Sequence, residues 1–353
     1  TSVRKNNYYF LLDCHENLLV SGDDNINDVW ERQVRAEWLS LPSNFRGKMT
    51  IAPCQVQAGV ALEIHQDFCH LFDMQFLKDY WVSIVLPLVY VKNNLNLTQW
   101  NIQNPGTCPA DIIQAFANPE WHFSTLCGPQ SSVQPADMYI RLGKTYYNQD
   151  DFQLLYYSGW VIPTSSEQDP RYLFSPVAGF GGHWGMLAGV HTQILLSSDD
   201  CRYSVCAFAA LEEIFLLRNT QWRTFDLVCK PLSRYMLFAR RHALPNALTP
   251  GVNFLTRRVR VRPYFLADFA CGCRVKTDCF EFELGYGIWG HGDERLELKC
   301  EKPCSYLDEY GIAGHAPQGY YEAVTASEST INNQAPYDRD AKGNPVFVGV
   351  PPS

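Results

Sequence analysis

The chain of 353 residues has no long apolar run of the kind that spans a bilayer as a helix. Its most apolar stretch, Tyr80 to Val91, is about twelve residues, against roughly 20 for a spanning helix. That stretch contains Pro87 and is closed by Lys92 and Asn93. A second run, Val205 to Leu217, is interrupted by Glu212 and Glu213. A membrane β-strand needs only roughly 9–11 residues, so the absence excludes helical spans and leaves strands open. Basic excess is also missing. A formal net charge of −8 argues against a general nucleic-acid binder, which needs a basic footprint.

Enzyme motifs are missing as well. There is no G-x-S-x-G elbow and no P-loop, and His15-Glu16 has no second histidine at H-E-x-x-H spacing. Gly285-Tyr-Gly287-Ile-Trp-Gly290 has the letters of a dinucleotide-binding loop. It lies inside an alternating strand, however, and Gly292-Asp293-Glu294 follows where a phosphate-binding helix should begin. No catalytic residue and no cofactor is expected.

Cysteine is abundant, at 13 residues, but Cys271-Gly-Cys273 and Cys300-Glu-Lys-Pro-Cys304 lack the C-x₂-C pairs of a zinc ribbon. Heavy cysteine use suits an oxidising compartment, so structural disulfides or buried thiols are expected, and an odd count leaves one thiol over. A start at Thr1-Ser2-Val3 fits a mature chain or a fragment. Asp338-Arg-Asp340-Ala-Lys342-Gly343 begins like a calcium loop, but Lys342 occupies a ligand position and Gly349 replaces the closing Glu. Asp23, Asp24 and Asp28 form a second acidic loop; solvated turns share this composition, and no metal is assigned. Asn96-Leu97-Thr98 is a glycosylation sequon, relevant only to a eukaryotic secreted protein.

What is present is period-two alternation. Val56, Ala58, Val60, Leu62 and Ile64 fall on one face of a strand, and Gln55, Gln57, Gly59, Glu63 and His65 on the other. From Arg258 to Lys276 a long alternating stretch precedes Thr277-Asp278, after which Phe280, Phe282, Leu284, Tyr286 and Ile288 alternate with Glu281, Glu283, Gly285 and Gly287. Two such strands and a short polar turn predict a hairpin, longer than the usual strands of about 5–6 residues. Further strands are expected over Met138–Thr145, Phe152–Ile162, Trp184–Leu196, Tyr203–Leu217 and Arg223–Cys229. Trp30, Val34 and Trp38 recur every four residues behind Asn27 and Asp28, which predicts a short capped helix.

The expected architecture is therefore all-β: a single large antiparallel barrel of roughly 10–14 strands. An N-terminal segment with the helix occupies 1–45, the barrel 46–302, and an irregular polar tail 303–353. The tail would be held as a lumen plug or across a neighbouring subunit. Arg258, Arg260 and Arg262 share one strand face, and Glu281 and Glu283 share a face of the next strand. With lipid outside, these charges must face the lumen, where opposed rows make a constriction that sorts solutes by charge. They fit cross-strand ion pairs equally well. His183-Trp184 between glycines reads as a structural or solvated histidine, and Trp and Tyr near strand ends as interfacial girdles or core aromatics.

Asn253-Phe-Leu-Thr-Arg-Arg-Val-Arg-Val-Arg-Pro263 and Phe280-Glu-Phe-Glu-Leu-Gly-Tyr-Gly-Ile-Trp-Gly-His291, with Gln57–Val60, Val91–Asn93 and Gly181–Gly185, carry a family resemblance. The chain resembles outer-membrane β-barrel proteins, porin-like, of host-associated bacteria of the Dependentiae-type lineages. The resemblance implies an envelope barrel, with the outer membrane or further copies as partners and small solutes as cargo. One feature departs from it: the chain ends Gly349-Val-Pro-Pro-Ser353, where such barrels finish on a strand with a terminal aromatic. Either closing strands have been lost, or the protein is not a conventional membrane-inserted barrel; the rival expectation is a secreted subunit that builds extracellular filaments through barrel modules and exchanged tails.

Overall fold

A computed structural model describes residues 17–28, 31–70, 77–149, 151–199, 203–228, 230–240, 248–277, 279–299, 310–315, 321–324, 331, 338–339 and 345–346. Most of the described chain is strand. It opens with β1 (Leu18–Ser21), β2 (Val34–Arg35) and β3 (Arg46–Thr50), then enters two long strands, β4 (Cys54–Asp67) and β5 (Tyr80–Asn94). Next come β6 (Thr98–Gln103), a short helix α1 (Ile112–Phe116), β7 (Gln130–Pro135), β8 (Met138–Gln149) and β9 (Phe152–Ile162). After them run β10 (Gly185–Asp199), β11 (Tyr203–Leu216), β12 (Asn219–Thr224), β13 (Leu237–Arg240), β14 (Leu248–Pro250) and a second short helix α2 (Gly251–Leu255). The last strands used below are β15 (Thr256–Pro263), β16 (Leu266–Thr277), β17 (Glu281–His291), β18 (Glu294–Leu298), β19 (Tyr310–His315) and β20 (Tyr321–Val324).

The dominant sheet has the order β17-β16-β11-β10-β9-β8-β5-β4, every pair antiparallel. β7 occupies the part of β5's edge that β8 leaves free. The sheet curls into a half-barrel, and among the described residues its first and last strands do not pair to close the expected barrel. Alternation dictates two-faced strands but not whether the first finds the last, and here β4 and β17 are both edges.

The long strand expected over Arg258–Lys276 is likewise two. Its run breaks after Pro263, which has no N–H to continue the ladder. β15 then belongs to a separate sheet, β12-β15-β18, while β16 joins the arc. Connections are unequal at the two ends of the arc. Two or three residues join β8 to β9, β10 to β11 and β16 to β17 at one end, where twelve (68–79) join β4 to β5; the longer segments 163–184 and 217–265 leave from the other.

That other end carries a lobe with its own core. Leu18 and Met49 from the β2-β1-β3-β6 sheet, with Phe45 just before β3, pack with Ile112 and Phe116 of α1, Met236, Phe238 of β13 and Val252 of α2. Ile312 of β19 and Ile331 are buried in the same cluster, and Arg35 N–H donates to the Ile331 carbonyl at 2.9 Å. Part of the expected irregular tail is thus strand: β19 pairs with β13 and with β20. The expected N-terminal helix is replaced by two 3₁₀ turns, Ile26–Asp28 and Ala36–Leu39, with β2 between them. Val34 and Trp38 are both buried, so the four-residue spacing is met by a strand followed by a turn; Trp30 lies outside the described residues.

The acidic loop is occupied by basic partners. Asp23 accepts from Arg32 at 2.8 Å and also from Arg35, Asp24 accepts from Ser43 at 2.6 Å, and buried Asp28 accepts from Arg46 Nε at 2.6 Å and Ser21 at 2.9 Å. Of the calcium-like loop from Asp338 to Gly349, Asp338, Arg339, Pro345 and Val346 fall within the described residues. Of the disulfides or buried thiols expected, only Cys206 is a buried thiol among the eight cysteines of the described residues, and all eight are free. Cys271 and Cys273 show why: across the sheet they face Ala209 and Ala207 on one side and Tyr286 and Leu284 on the other.

Burial raises the Asp28 carboxyl, but the hydrogen bonds from Arg46 and Ser21 and the Arg46 charge outweigh it, leaving the group below the ordinary range. Stability from Asp28 is therefore present above about pH 4 and is lost as pH falls through the lower folded value. Asp28→Asn should destabilise the lobe by about 1.5–3 kcal/mol at pH 7. Followed by the fluorescence of buried Trp38 in urea, the gap from the parent should narrow as pH falls below about 4; a constant gap contradicts the assignment.

Candidate functional site

The arc has two chemically opposite faces, and register makes them continuous. One row of paired residues crosses all eight strand positions: His65, Ser83, Arg141, Gly159, Leu187, Ile214, Leu266 and His291. The neighbouring row on the opposite face reads Ile64, Ile84, Ile140, Trp160, Met186 and Phe215. Farther along the strands that face continues with Val60, Leu88, Val190, Leu211, Phe269, Leu284 and Tyr286. It is uncovered: Val60 is 71% exposed and Leu284 70%. Three charges interrupt it: exposed Lys92 at the lobe end of β5, paired with Val56, and two more. Lys144 lies over the Tyr80 and Tyr146 rings at 4.9 and 5.3 Å, and Glu213 sits toward the lobe end, paired with Ala188 and Ala267.

The other face is mixed, and the sheet curls towards it: Val161, Leu187, Ile214 and Leu216 form a small buried apolar cluster at its lobe end, and charged and aromatic groups follow. β8 and β11 are three steps apart, about 14 Å on a flat sheet. Arg141 of β8 nevertheless donates to Glu212 of β11 at 2.9 Å, and Tyr157 of β9 donates to the same oxygen at 2.6 Å. The Arg141 guanidinium also stands over the Tyr139 and Tyr157 rings at 5.3 and 5.4 Å, a cation–π arrangement. Trp81 of β5 reaches Tyr157 with ring centres 6.0 Å apart. Glycines make room for these rings. A Cβ on Gly143 would stand 2.1 Å from Trp81, and one on Gly189 2.3 Å from Tyr157. The concave surface thus has a floor of aromatic rings and an ion pair about three-quarters removed from solvent.

Glu281 and Glu283 lie on this concave face, at its β17 edge. Both pair with Arg274 of β16, at 3.0 and 2.8 Å. Arg258, Arg260 and Arg262 do not join them, because β15 is in the other sheet. Arg260 is 3.7 Å from Glu297 of β18, Arg258 stands 6.0 Å from the Trp222 ring, and exposed Arg262 faces Arg295 in register. The expected opposition of these arginines to Glu281 and Glu283 across a lumen is replaced by Arg141–Glu212 and Arg274–Glu281/Glu283. Sequence reasoning missed Arg141, Tyr157 and Trp81. Lone charges and glycines inside otherwise apolar strands (Arg141, Gly143, Gly159, Gly189, Glu212) were the available signal. His183 is structural: Nδ1 lies 2.7 Å from the Leu217 carbonyl and Nε2 3.0 Å from Gln221.

The apolar face forms a slanted band. In β4 its midpoint, Val60, lies five residues from the row at His65 on the lobe side; in β17 its midpoint, Gly285, lies six residues from His291 on the side of the short turns. Leu86 and Val190 mark intermediate positions in β5 and β10. The band therefore drifts by about eleven residues over seven steps, at about 3.3 Å per residue and 4.8 Å per step. It crosses the strands at about 45°, the inclination of strands in a membrane barrel. Among the described residues, no helix is long and apolar enough to cross a membrane.

No protein-family model and no curated protein matches the chain.

Gly143→Ala should drive Trp81 out of its seat and cost about 1–3 kcal/mol as overpacking. Adding Trp81→Leu should recover part of that loss. A double-mutant cycle on unfolding free energies checks this, and strict additivity contradicts the close approach.

Proposed function

We propose that the protein is a non-enzymatic β-barrel protein of a bacterial outer membrane, porin-like, that passes small solutes. Its convex face lies against lipid and its concave face lines water. The inclined apolar band carries this reading. A soluble barrel buries its apolar side chains inside; a membrane barrel turns them outward and keeps charge within. The unequal connections fit as well, since outer-membrane barrels have short turns on the periplasmic side and long loops outside. The lobe is then extracellular. Arg141, Glu212, Arg274, Glu281 and Glu283 supply fixed charges of both signs along the lumen wall, able to sort solutes by charge.

A second reading, a secreted subunit that polymerises into a filament, is favoured by the two unpaired edge strands. Fractionation of the native protein with and without detergent, followed by electron microscopy, separates the two. Discrete particles recovered only in detergent support the membrane barrel; ordered polymers recovered without detergent overturn it.

Leu62→Arg, at the lipid face, should lose membrane insertion, with a cost of about 2–4 kcal/mol near the midplane. Glu63→Arg, one residue along and on the opposite face, should insert normally and shift the single-channel current towards anions. Liposome flotation and planar-bilayer conductance read the two effects. Equal loss of insertion in both variants contradicts the face assignment.

A further inference from the structure

We infer that the two edges of the arc are docking surfaces for a second copy of this chain: β17 of one copy pairs with β4 of the other, and two arcs of eight strand positions close one barrel of sixteen. The inference rests on the membrane reading for its urgency, since an open sheet edge has no water to satisfy its N–H and C=O groups in hydrocarbon. Its geometry comes from the edges themselves.

Among the described residues β4 and β17 each have a single neighbour along their length, and they are long, with 14 and 11 residues. Strand direction alternates across the eight positions, so β17 runs opposite to β4. A neighbouring copy in the same orientation therefore presents β4 antiparallel to β17, and the alternation continues unbroken around the ring. A two-fold axis along the barrel makes both junctions at once and leaves no edge. The half-barrel curl of one arc sets the number of copies at two.

The slanted band also sets the register. It advances about one and a half residues per step, so the band of the second copy continues that of the first when Val60 faces Leu284. Outward residues then meet outward ones, with Leu62 opposite Phe282 and Val56 opposite Ile288. On the concave side Gly59 meets Gly285, so nothing obstructs backbone approach. One like-charge pair results, Glu63 against Glu281. Each has a partner in its own copy already, Ser83 for Glu63 at 2.7 Å and Arg274 for Glu281 at 3.0 Å.

The test is disulfide trapping in the full-length chain, reconstituted into liposomes and mildly oxidised. Val56→Cys with Ile288→Cys should give a cross-linked species of two chains on non-reducing gels. Leu62→Cys with Phe282→Cys, in the same register, should do the same. Leu62→Cys with Ile288→Cys, six residues out of register, should show no more than the unsubstituted chain, whose native thiols set the background. A compact cross-linked monomer in the first two variants would mean that one chain closes on itself, and a ladder beyond two chains would mean a larger ring or a polymer; either overturns the inference. Absence of any added cross-link in both in-register variants also overturns it, provided flotation shows them in the membrane. Should the chain fail to float, the membrane reading fails instead, and the same oxidation in detergent-free buffer still reports whether β4 meets β17 of another copy.

Discussion

Every feature of the arc depends on one constraint: the phase of an antiparallel ladder eight strands wide. Side chains alternate with period two, so a slip of one residue in any pair would exchange the faces of every strand beyond it. Here the phase is held from His65 to His291 without a break, and that row separates a wholly apolar neighbour on one side from the ion pairs on the other. Bulges occur only near the short-turn end, at Thr145/Tyr147 and Leu195/Ser197, where they leave that row untouched.

The two parts of the molecule are stabilised differently. The lobe buries Phe45, Met49, Met236 and Ile312 completely or nearly so, and its acidic groups are paired with arginines. The arc buries little: Val161, Leu187, Ile214 and Leu216 form a small cluster near the lobe, and beyond it the aliphatic side chains are uncovered. A patch larger than a few hundred Å² on a soluble monomer is unusual and marks an interface. A surface of this extent is covered by lipid in a membrane barrel, while the ladder satisfies the backbone within. The ion pairs of the concave face are only partly buried, and their individual contributions to stability are correspondingly small. In the proposed reading, their role is the charge they place along a wall.

Much of the arc was legible in the sequence because alternation is a local signal. Val56 to Ile64 and Phe280 to Ile288 each announce a two-faced strand unaided. Closure was not legible, since nothing in β4 or β17 alone says whether they meet in one chain. The break between β15 and β16 was hidden because alternation runs straight through it, with Pro263 the one residue that marks it. That break sends Arg258, Arg260 and Arg262 to a different sheet from Glu281 and Glu283. Arg141 and Glu212 are 71 residues apart, and only the strand order brings them together. At the N-terminus a four-residue spacing read as a helix, although a strand and a 3₁₀ turn bury Val34 and Trp38 equally well. β19 was missed because Tyr-Gly-Ile-Ala-Gly-His has two glycines among six residues, a poor strand composition made good by pairing with β13.

The central claim, that the convex face meets lipid and the concave face water, is tested most directly by spin labels placed singly at each position from 56 to 64 in β4 of the reconstituted protein. Collision rates with oxygen, which concentrates in lipid, and with a water-soluble nickel chelate should alternate with period two. Positions 56, 58, 60, 62 and 64 should favour oxygen, and positions 57, 59, 61 and 63 the chelate. Uniform access to the chelate, or the opposite phase, would contradict the account.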